Sequence, residues 1–349
     1  MRLTFRWFGV DDPIPLAHIR QIPGVTGVVS ALYGSPVGEA WPSDALERLA
    51  CEIDSAGLEL SVVESIPVHE DIKLGRPSRD RFIEHYCRSI ENVGEVGVAT
   101  VCYNFMPIFD WTRTSVAMPL DDGSTTLAYD HGALDDHGFA RAAGELPGWA
   151  TGYDESELAV LLAAYRELDP EQLWENLAYF LERVVPVAER AGVKLAVHPD
   201  DPPWPIFGLP RILTDGDSLE RLVELVDSSA NGVTLCTGSL GAAPGNDVPG
   251  IARRLGACGR IHFAHLRNVR ITGDRQFHEC PHPSAFGSVK LREVLAALRD
   301  TGFDGPMRPD HGRMIWNENG RPGYGLYDRA LGAMYLQGLW EGLSDVRHG

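Results

Sequence analysis

The sequence predicts a (β/α)8 barrel, or TIM barrel, with inserted loops on the face where the strands end. Short, nearly continuous apolar runs alternate with helix-like segments, which is the pattern of parallel strands covered on both faces. Four potential metal ligands follow four of these runs. A closed parallel barrel brings the C-terminal ends of all its strands to one mouth, so these ligands are expected to meet. A doubly wound open sheet is the alternative fold.

Eight segments have the apolar pattern of buried strands, and helix-like sequence separates most of them. They are Leu3–Phe8, Val25–Ser30, Leu58–Glu64, Val98–Phe105, Lys194–His198, Gly232–Cys236, Ile261–Leu266 and Gly305–Arg308.

The helix-like segments carry start and stop signals. Ser43 is a candidate N-cap for a helix that Gly57 would end. Asp169, followed by a proline, opens a second helix whose apolar stripe runs toward Gly192. Pro186 is a candidate kink within that helix.

Two segments interrupt this alternation, at about residues 107–168 and 270–287. Both follow predicted strands, which places them on the catalytic face of a barrel, either capping a site or covering apolar surface. The 349 residues exceed the ~250 of a typical barrel, and length alone fits one elaborated domain as well as two. We expect a single catalytic domain over residues 1–349 that carries both insertions.

Composition excludes several classes of protein. The net charge of −18 disfavours nucleic acid and anionic membranes as partners, although it permits a small anionic substrate in a locally positive pocket. The six cysteines are scattered without a CxxC pair, which favours free thiols in a reducing compartment. The N-terminus lacks the apolar core of a signal peptide, and no apolar run approaches the ~20 residues of a membrane span. We therefore expect a cytoplasmic protein.

The four potential metal ligands are His198 in KLAVHPDD, Cys236 in GVTLCTGS, His265 in IHFAHLRN and Asp310 in MRPDHGR. Two imidazoles, a thiolate and a carboxylate suit Fe(II), Mn(II), Co(II) or Zn(II) better than Mg²⁺ or Ca²⁺. Each residue taken alone is more often structural than ligating. Their shared position at four strand ends is what favours a metal site.

Other polar residues are candidates for the chemistry. His311 follows Asp310 and could face a substrate as a base, unless it is only a surface histidine. Tyr324 lies between two glycines and could donate a proton, unless it covers the last helix. The candidates for substrate binding, which could otherwise be rim salt bridges or ordinary polar contacts, are Arg6, Asn104, Arg267, Arg308 and Arg313.

Long runs of the sequence closely resemble the mannonate dehydratase family, from about Leu3 to Trp340. They are FRWFGVDDPI, QIPGVTGVVSALY, LSVVESIPVHEDIKLG, CYNFMPIFDWTRT, LWENLAYFL, HPDDPPWPIFGLPRI, LCTGSLGA, RIHFAHLRNV and RPDHGRMIW. The resemblance implies a barrel hydro-lyase of hexuronate (glucuronate) catabolism. Such an enzyme removes water from D-mannonate to give 2-dehydro-3-deoxy-D-gluconate.

The resemblance also implies residue roles. The family's metal ligands, for Mn(II) or Fe(II), fall on the four strand-end residues named above. Its proton-transfer pair falls on His311 and Tyr324, with the order of acid and base left open. A homo-oligomer, often a dimer, is implied as well.

One stretch departs from the family pattern. After FHE the chain reads CPHPSAFGS, with Ala285 and Phe286 before Gly287, where the family usually has a polar segment with an Asp-Gly turn. This stretch is expected near the mouth, where it would affect substrate range or rate. Two other functions stay open: a metal-dependent sugar isomerase or epimerase on the same scaffold, and a non-catalytic sugar-acid binding homologue. Loss of water distinguishes a dehydratase from both.

Overall fold

The computed structural model describes residues 1–134 and 155–345. The strands are β1 (Arg2–Arg6), β2 (Val25–Ser30), β3 (Glu59–Glu64), β4 (Thr100–Tyr103), β5 (Ser115–Pro119), β6 (Thr125–Asp130), β7 (Lys194–Val197), β8 (Asn231–Cys236), β9 (Ile261–His265), β10 (Asn268–Gly273), β11 (Gln276–Cys280) and β12 (Pro306–Arg308). Eight of them close into a parallel barrel in the order β1-β12-β9-β8-β7-β4-β3-β2. The predicted fold class is confirmed, and each predicted strand overlaps one barrel strand.

The helices between these strands lie outside the barrel or at its mouth. They are α1 (Leu16–Arg20), α2 (Ser43–Ser55), α3 (Glu70–Lys73), α4 (Arg79–Glu95), α5 (Glu155–Arg166), α6 (Pro170–Ala191), α7 (Gly216–Leu225), α8 (Thr237–Gly241), α9 (Val248–Ala257), α10 (Leu291–Asp300) and α11 (Tyr327–Asp345). Apart from α5, their apolar side chains pack on the outer face of the barrel in one large cluster of buried residues.

The predicted helix signals were right for α6 and partly wrong for α2. Asp169 accepts a hydrogen bond from the backbone N–H of Glu171 at 2.7 Å and forms a capping box, and Gly192 ends α6 with a φ of 68°. Ser43 is the first residue of α2 rather than its N-cap. Pro42 occupies the cap position with extended backbone and no side-chain cap.

The inserted segments contain strands that the sequence did not predict. β5 and β6, from the first insertion, join β10 and β11, from the second, in an antiparallel sheet of order β10-β11-β6-β5. Residues 135–154 of the first insertion lie outside the described residues, so the expectation for that part is not addressed. The second insertion begins earlier than predicted, because β10 starts at Asn268. Pairing between segments so distant in the chain leaves no local sequence signal.

The apolar side chains inside the barrel and those under the added sheet form separate clusters. Val29, Val62, Cys102, Ala196 and Phe263 fill the inside of the barrel as a small cluster of their own. Another cluster lies beneath the added sheet and includes side chains from α5. The two insertions therefore pack on apolar side chains that are separate from the barrel core, together with residues outside the insertions such as Trp204 and Leu291.

Two further expectations concern the membrane and the thiols. Among residues 1–134 and 155–345, no helix combines the length and the apolarity that crossing a bilayer requires. All six cysteines lie in the described residues and are free thiols.

Candidate metal centre and catalytic cavity

A cavity of about 440 Å³ opens where the barrel strands end. This volume is within the usual ~300–1,000 Å³ of small-molecule sites. Its polar lining includes Arg6, Glu64, Asn104, Asp110, His198, Asp201, His265, Arg308, Asp310, His311, Arg321 and Tyr324. Carboxylates, imidazoles and guanidinium groups in the lining favour a small, highly polar ligand.

Three potential metal donors converge in or beside this cavity. His198 follows β7, Cys236 ends β8 and His265 ends β9, and one donor atom from each lies within 4.8 Å of the others. His198 Nε2 and His265 Nδ1 are 3.1 Å apart. The other ring nitrogen of His198 lies 2.7 Å from the carbonyl oxygen of Pro199. A carbonyl only accepts, so Nδ1 carries a proton and Nε2 is the nitrogen that would bind a metal.

Asp310, which follows β12, lies beside these donors. Its Oδ2 is 3.7 Å from His265 Nδ1 and 3.8 Å from Cys236 Sγ. Two arginines fix the carboxylate, with Arg267 Nε 2.7 Å from Oδ2 and Arg308 Nη2 2.7 Å from Oδ1. Burial would raise the pKa of Asp310, but Arg308 and the other nearby cations outweigh burial and hold it well below its usual value.

The four residues fit a divalent cation. Ligand atoms bound to one ion at about 2.0–2.3 Å lie roughly 3–4 Å from each other, and the separations of 3.1, 3.7 and 3.8 Å found here agree with that spacing. The mixed nitrogen, sulfur and oxygen donors suit a borderline transition metal.

The electrostatics favour the ligating form of the thiol. Burial would raise the pKa of Cys236, yet Arg267 and His198 outweigh it, and the pKa is well below its ordinary value. Burial would lower the pKa of His198, but the negative charge of Cys236 and Asp310 raises it to about 9. The thiolate and the carboxylate therefore favour positive charge at His198, and a bound cation would take the place of the proton that His198 holds on Nε2.

A second group, Glu64, Cys102 and His265, also has donor atoms close together. It is a poor cation site, because Glu64 already faces Arg6 at 3.1 Å and Arg308 at 2.9 Å. Burial also raises the pKa of Cys102 well above its usual value, so its sulfur stays a neutral thiol.

His311 and Tyr324 form a hydrogen-bonded pair on the cavity wall. His311 Nε2 lies 2.8 Å from the Tyr324 hydroxyl. Trp111 covers the imidazole at 4.9 Å between ring centroids, and Phe8 packs edge-on against Tyr324 at 4.8 Å. Burial, together with the charge of Asp310, raises the pKa of Tyr324. The pair is placed to exchange a proton beside the donor cluster.

A family model described as D-mannonate dehydratase (UxuA) matches residues 1–348. The chain belongs to the D-mannonate dehydratase family. It is 53% identical to mannonate dehydratase 2 of Halalkalibacterium halodurans, over 99% of this chain and 100% of that relative. It is 51% identical to mannonate dehydratase of Streptococcus uberis, over 98% of each chain. The family resemblance predicted from the sequence is confirmed.

Solved structures agree with this assignment. Mannonate dehydratase from Streptococcus suis serotype 2 superposes with a TM-score of 0.92 at 46% identity, covering 99% of this chain and 96% of that one. A xylose isomerase-like TIM barrel protein from Mycobacterium smegmatis, in complex with magnesium, gives a TM-score of 0.54 at 15% identity, covering 94% of this chain and 88% of that one. The second likeness shows the barrel fold alone.

The predicted substrate-binding residues fall in two groups. Arg6, Asn104 and Arg308 line the cavity of this D-mannonate dehydratase family member. Arg267 and Arg313 are outside the cavity lining of the described residues. Arg267 is fully buried behind the metal donors, where it pairs with carboxylates. Arg313 pairs with Asp328 at 2.9 Å and with Asp122 at 2.8 Å. Their placement argues against direct substrate contact.

The stretch that departs from the family pattern also lies away from the cavity. Ser284–Phe286 forms a short 3-10 turn, and the side chain of Phe286 is exposed. None of residues 280–288 belongs to the cavity lining that the structure describes.

Sequence reasoning missed several polar residues of the site. Asp110, on the cavity wall, has a pKa that burial raises to about 7 despite Arg211 and His198 nearby. Asp201 receives a bidentate contact from Arg113, at 2.8 and 3.0 Å. The run HPDD, which places Asp201 three residues after His198, was the available signal.

Proposed function

We propose that this chain removes water from D-mannonate to give 2-dehydro-3-deoxy-D-gluconate, with a divalent metal ion held at the barrel mouth. The observation that carries the proposal is one cavity whose lining includes His198, His265, Asp310 and the His311–Tyr324 pair, with Cys236 beside these donors, in a chain that belongs to the D-mannonate dehydratase family. A protein that only binds a sugar acid has no need for both.

His198, Cys236, His265 and Asp310 would hold the ion, Mn(II) or Fe(II). When bound, the ion supplies positive charge that stabilises the negative charge developing beside the substrate carboxylate. This help is needed because removing the proton from carbon 2 builds a second negative charge next to an existing one.

Arg6 and Arg308 bind the substrate carboxylate. Both are almost fully buried yet line the cavity. The Nε atom of each guanidinium group, and Nη1 of Arg308, have no hydrogen-bond partner among the described residues. Glu64 lies between the two guanidinium groups and keeps them in place. Buried donors without partners favour a ligand that accepts hydrogen bonds, which a carboxylate does. Asn104 contacts the hydroxyl groups of the sugar chain.

Tyr324 and His311 move the protons. As Tyr324 passes its hydroxyl proton to His311 Nε2, its oxygen takes the proton from carbon 2. The imidazolium of His311 then protonates the hydroxyl on carbon 3, the carbon–oxygen bond breaks and water leaves. The enol that remains tautomerises to the 2-keto acid. This order fits the 2.8 Å contact, because a single hydrogen bond links the two groups.

The proposal extends to the pathway, the compartment and the assembly of the protein. The chain acts as one catalytic domain in hexuronate catabolism in the cytoplasm and assembles as a homo-oligomer. Light scattering of the purified protein tests the last point.

The decisive assay measures product and metal together. Purified protein is given D-mannonate with Mn(II), after chelation, and after Mn(II) is restored. We expect a semicarbazide-reactive 2-keto-3-deoxy acid that disappears on chelation and returns with the metal. An isomeric product of unchanged mass would instead support an isomerase or epimerase, and absence of any product in all three conditions contradicts the proposal.

Tyr324→Phe is the matched variant for this assay. It removes one oxygen from the catalytic pair without touching the metal donors. We expect kcat to fall by about 10²–10⁴-fold while bound metal per chain stays at the wild-type level. Wild-type turnover in this variant would mean that the activity belongs to a contaminant or that Tyr324 moves no proton.

A further inference from the structure

Glu279 lies behind the catalytic pair, on the side away from the cavity. It belongs to β11, in the sheet built by the two insertions, and its side chain is completely buried. Its Oε1 lies 3.2 Å from His311 Nδ1 and accepts a hydrogen bond from Arg113 Nη2 at 2.9 Å. Arg267 Nη1 also donates to it. It is not among the described residues that line the cavity.

Two buried arginines keep Glu279 ionised. Burial alone would raise the pKa of this carboxyl group, but Arg267, the hydrogen bond from His311 and Arg113 outweigh it, and the pKa falls to about 2. An ionised carboxylate accepts hydrogen bonds and has no proton to donate. The nitrogen that faces it must therefore carry the proton.

This requirement fixes the tautomer of His311. Nδ1 is protonated and bonded to Glu279, so in the neutral ring Nε2 holds the lone pair and accepts the Tyr324 hydroxyl proton. Trp111 packs against the ring and restricts its rotation. A continuous chain of hydrogen bonds runs from Glu279 through His311 to Tyr324.

We propose that Glu279 is a positioning residue that holds the ring of His311 in place, with Nδ1 toward Glu279 and Nε2 toward Tyr324, in the Nδ1-protonated tautomer. This inference rests on the proposed function of His311 as the group that protonates the leaving hydroxyl. The sheet formed by the two insertions thus supplies part of the catalytic apparatus.

The test begins with the wild-type protein. Protein labelled with ¹⁵N-histidine is loaded with diamagnetic Zn(II), and long-range ¹H–¹⁵N spectra report which ring nitrogen of His311 is protonated. His311→Asn assigns the signals. We expect protonated Nδ1 and unprotonated Nε2. The opposite tautomer in the wild type overturns the inference without any variant of Glu279.

The second part of the test uses the Glu279→Gln variant. The amide is neutral and can turn either its oxygen or its nitrogen toward Nδ1, so we expect both tautomers in the spectrum. Losing a carboxylate that fixes a catalytic histidine lowers kcat by up to about 10⁴-fold in another enzyme, and we expect a fall of about 10²–10⁴-fold here. KM should stay within about threefold of wild type, because Glu279 is outside the cavity lining that the structure describes, and kcat is compared at equal bound Mn(II) because Glu279 reaches Asp310 through Arg267. A single wild-type tautomer with wild-type kcat refutes the role.

Asp201→Asn is the matched control. It also removes one carboxylate from Arg113 and Arg267, but no direct bond joins Asp201 to His311 in the described structure. It should share any loss of stability and keep the Nδ1-protonated tautomer. If the wild type makes no keto acid from D-mannonate, the proposed function fails, while the tautomer spectrum still decides whether Glu279 positions His311.

Discussion

Replacing Arg267 by lysine separates a structural arginine from a substrate clamp. The guanidinium group is completely buried and faces three carboxylates. It donates to Glu279 and, at 2.6 Å, to Asp201, and its Nε lies 2.7 Å from Asp310. A lysine keeps the charge, but its single ammonium group cannot span three partners in different directions.

The magnitude follows from the contacts that are lost. Lysine retains about one of the three, and each interaction with a charged partner is worth about 1.5–3 kcal/mol, so the loss is about 3–6 kcal/mol. That is a large part of the ~5–15 kcal/mol by which most domains are stable. Carboxylates left with too few partners in the interior add to the loss.

The assay is urea unfolding, followed by circular dichroism and by tryptophan fluorescence. It is run once with chelator and once with Mn(II), because a ligand that binds only the folded state adds its own stabilisation. Arg221→Lys is the matched control. Arg221 also holds a carboxylate with two guanidinium nitrogens, Nη1 and Nη2, at 2.9 and 2.6 Å from Glu171, but both side chains are largely exposed. Its replacement should change the free energy of unfolding by less than about 1 kcal/mol.

Two results would refute this reasoning. One is a free energy of unfolding for Arg267→Lys within about 1 kcal/mol of the wild type. The other is a large increase in KM for D-mannonate in a variant of normal stability, which would restore the clamp role that the sequence alone suggested.

The remaining predictions address the metal, the carboxylate contact and pH. Cys236→Ser should weaken Mn(II) binding by at least about 10²-fold, because a serine hydroxyl keeps its proton where the thiol loses it; full metal content after dialysis would rule out ligation by sulfur. Arg6→Lys should raise KM about tenfold or more, since the missing donors cost roughly 1.4 kcal/mol or more, whereas Arg313→Lys, outside the cavity, should leave KM unchanged. Burial lowers the pKa of His262 to about 4 in the folded protein, against about 6.5 in the unfolded chain. Between pH 6.5 and pH 4 only the unfolded chain takes up this proton, so the free energy of unfolding falls as the pH drops through that range. His262→Asn should remove up to about 3 kcal/mol of that decline, and equal slopes of melting temperature against pH in both proteins would contradict this.

Local patterns in the sequence were sufficient to predict the barrel and to predict that the four potential metal donors lie at its mouth. A continuous apolar run predicts a strand buried on both faces, and the residue after it must lie at the barrel mouth if the strands are parallel. Position along the chain therefore placed His198, Cys236, His265 and Asp310 together before any distance was known. Their service as ligands remains a prediction.

The sequence was less informative about the partners of charged residues. Arg6 and Arg267 both lie near the ends of strands, and their local sequence does not indicate which of them lines the cavity. In the structure one lines the cavity and the other is enclosed by carboxylates from three distant segments. The direction of a long side chain depends on the packing around it, which no local pattern encodes.

The insertions show the same limit most clearly. The segments that form β5, β6, β10 and β11 lack the nearly continuous apolar runs that predict the barrel strands, so the sequence predicts loops there, yet they pair into a sheet. That sheet delivers Glu279 to the back of His311, a contact between residues 32 positions apart in the chain. The sequence by itself determined which elements form the barrel and which side chains reach its mouth, because hydrophobic periodicity is local. Only the tertiary structure decided which charges face each other, because those contacts depend on distances between segments that the chain brings together when it folds.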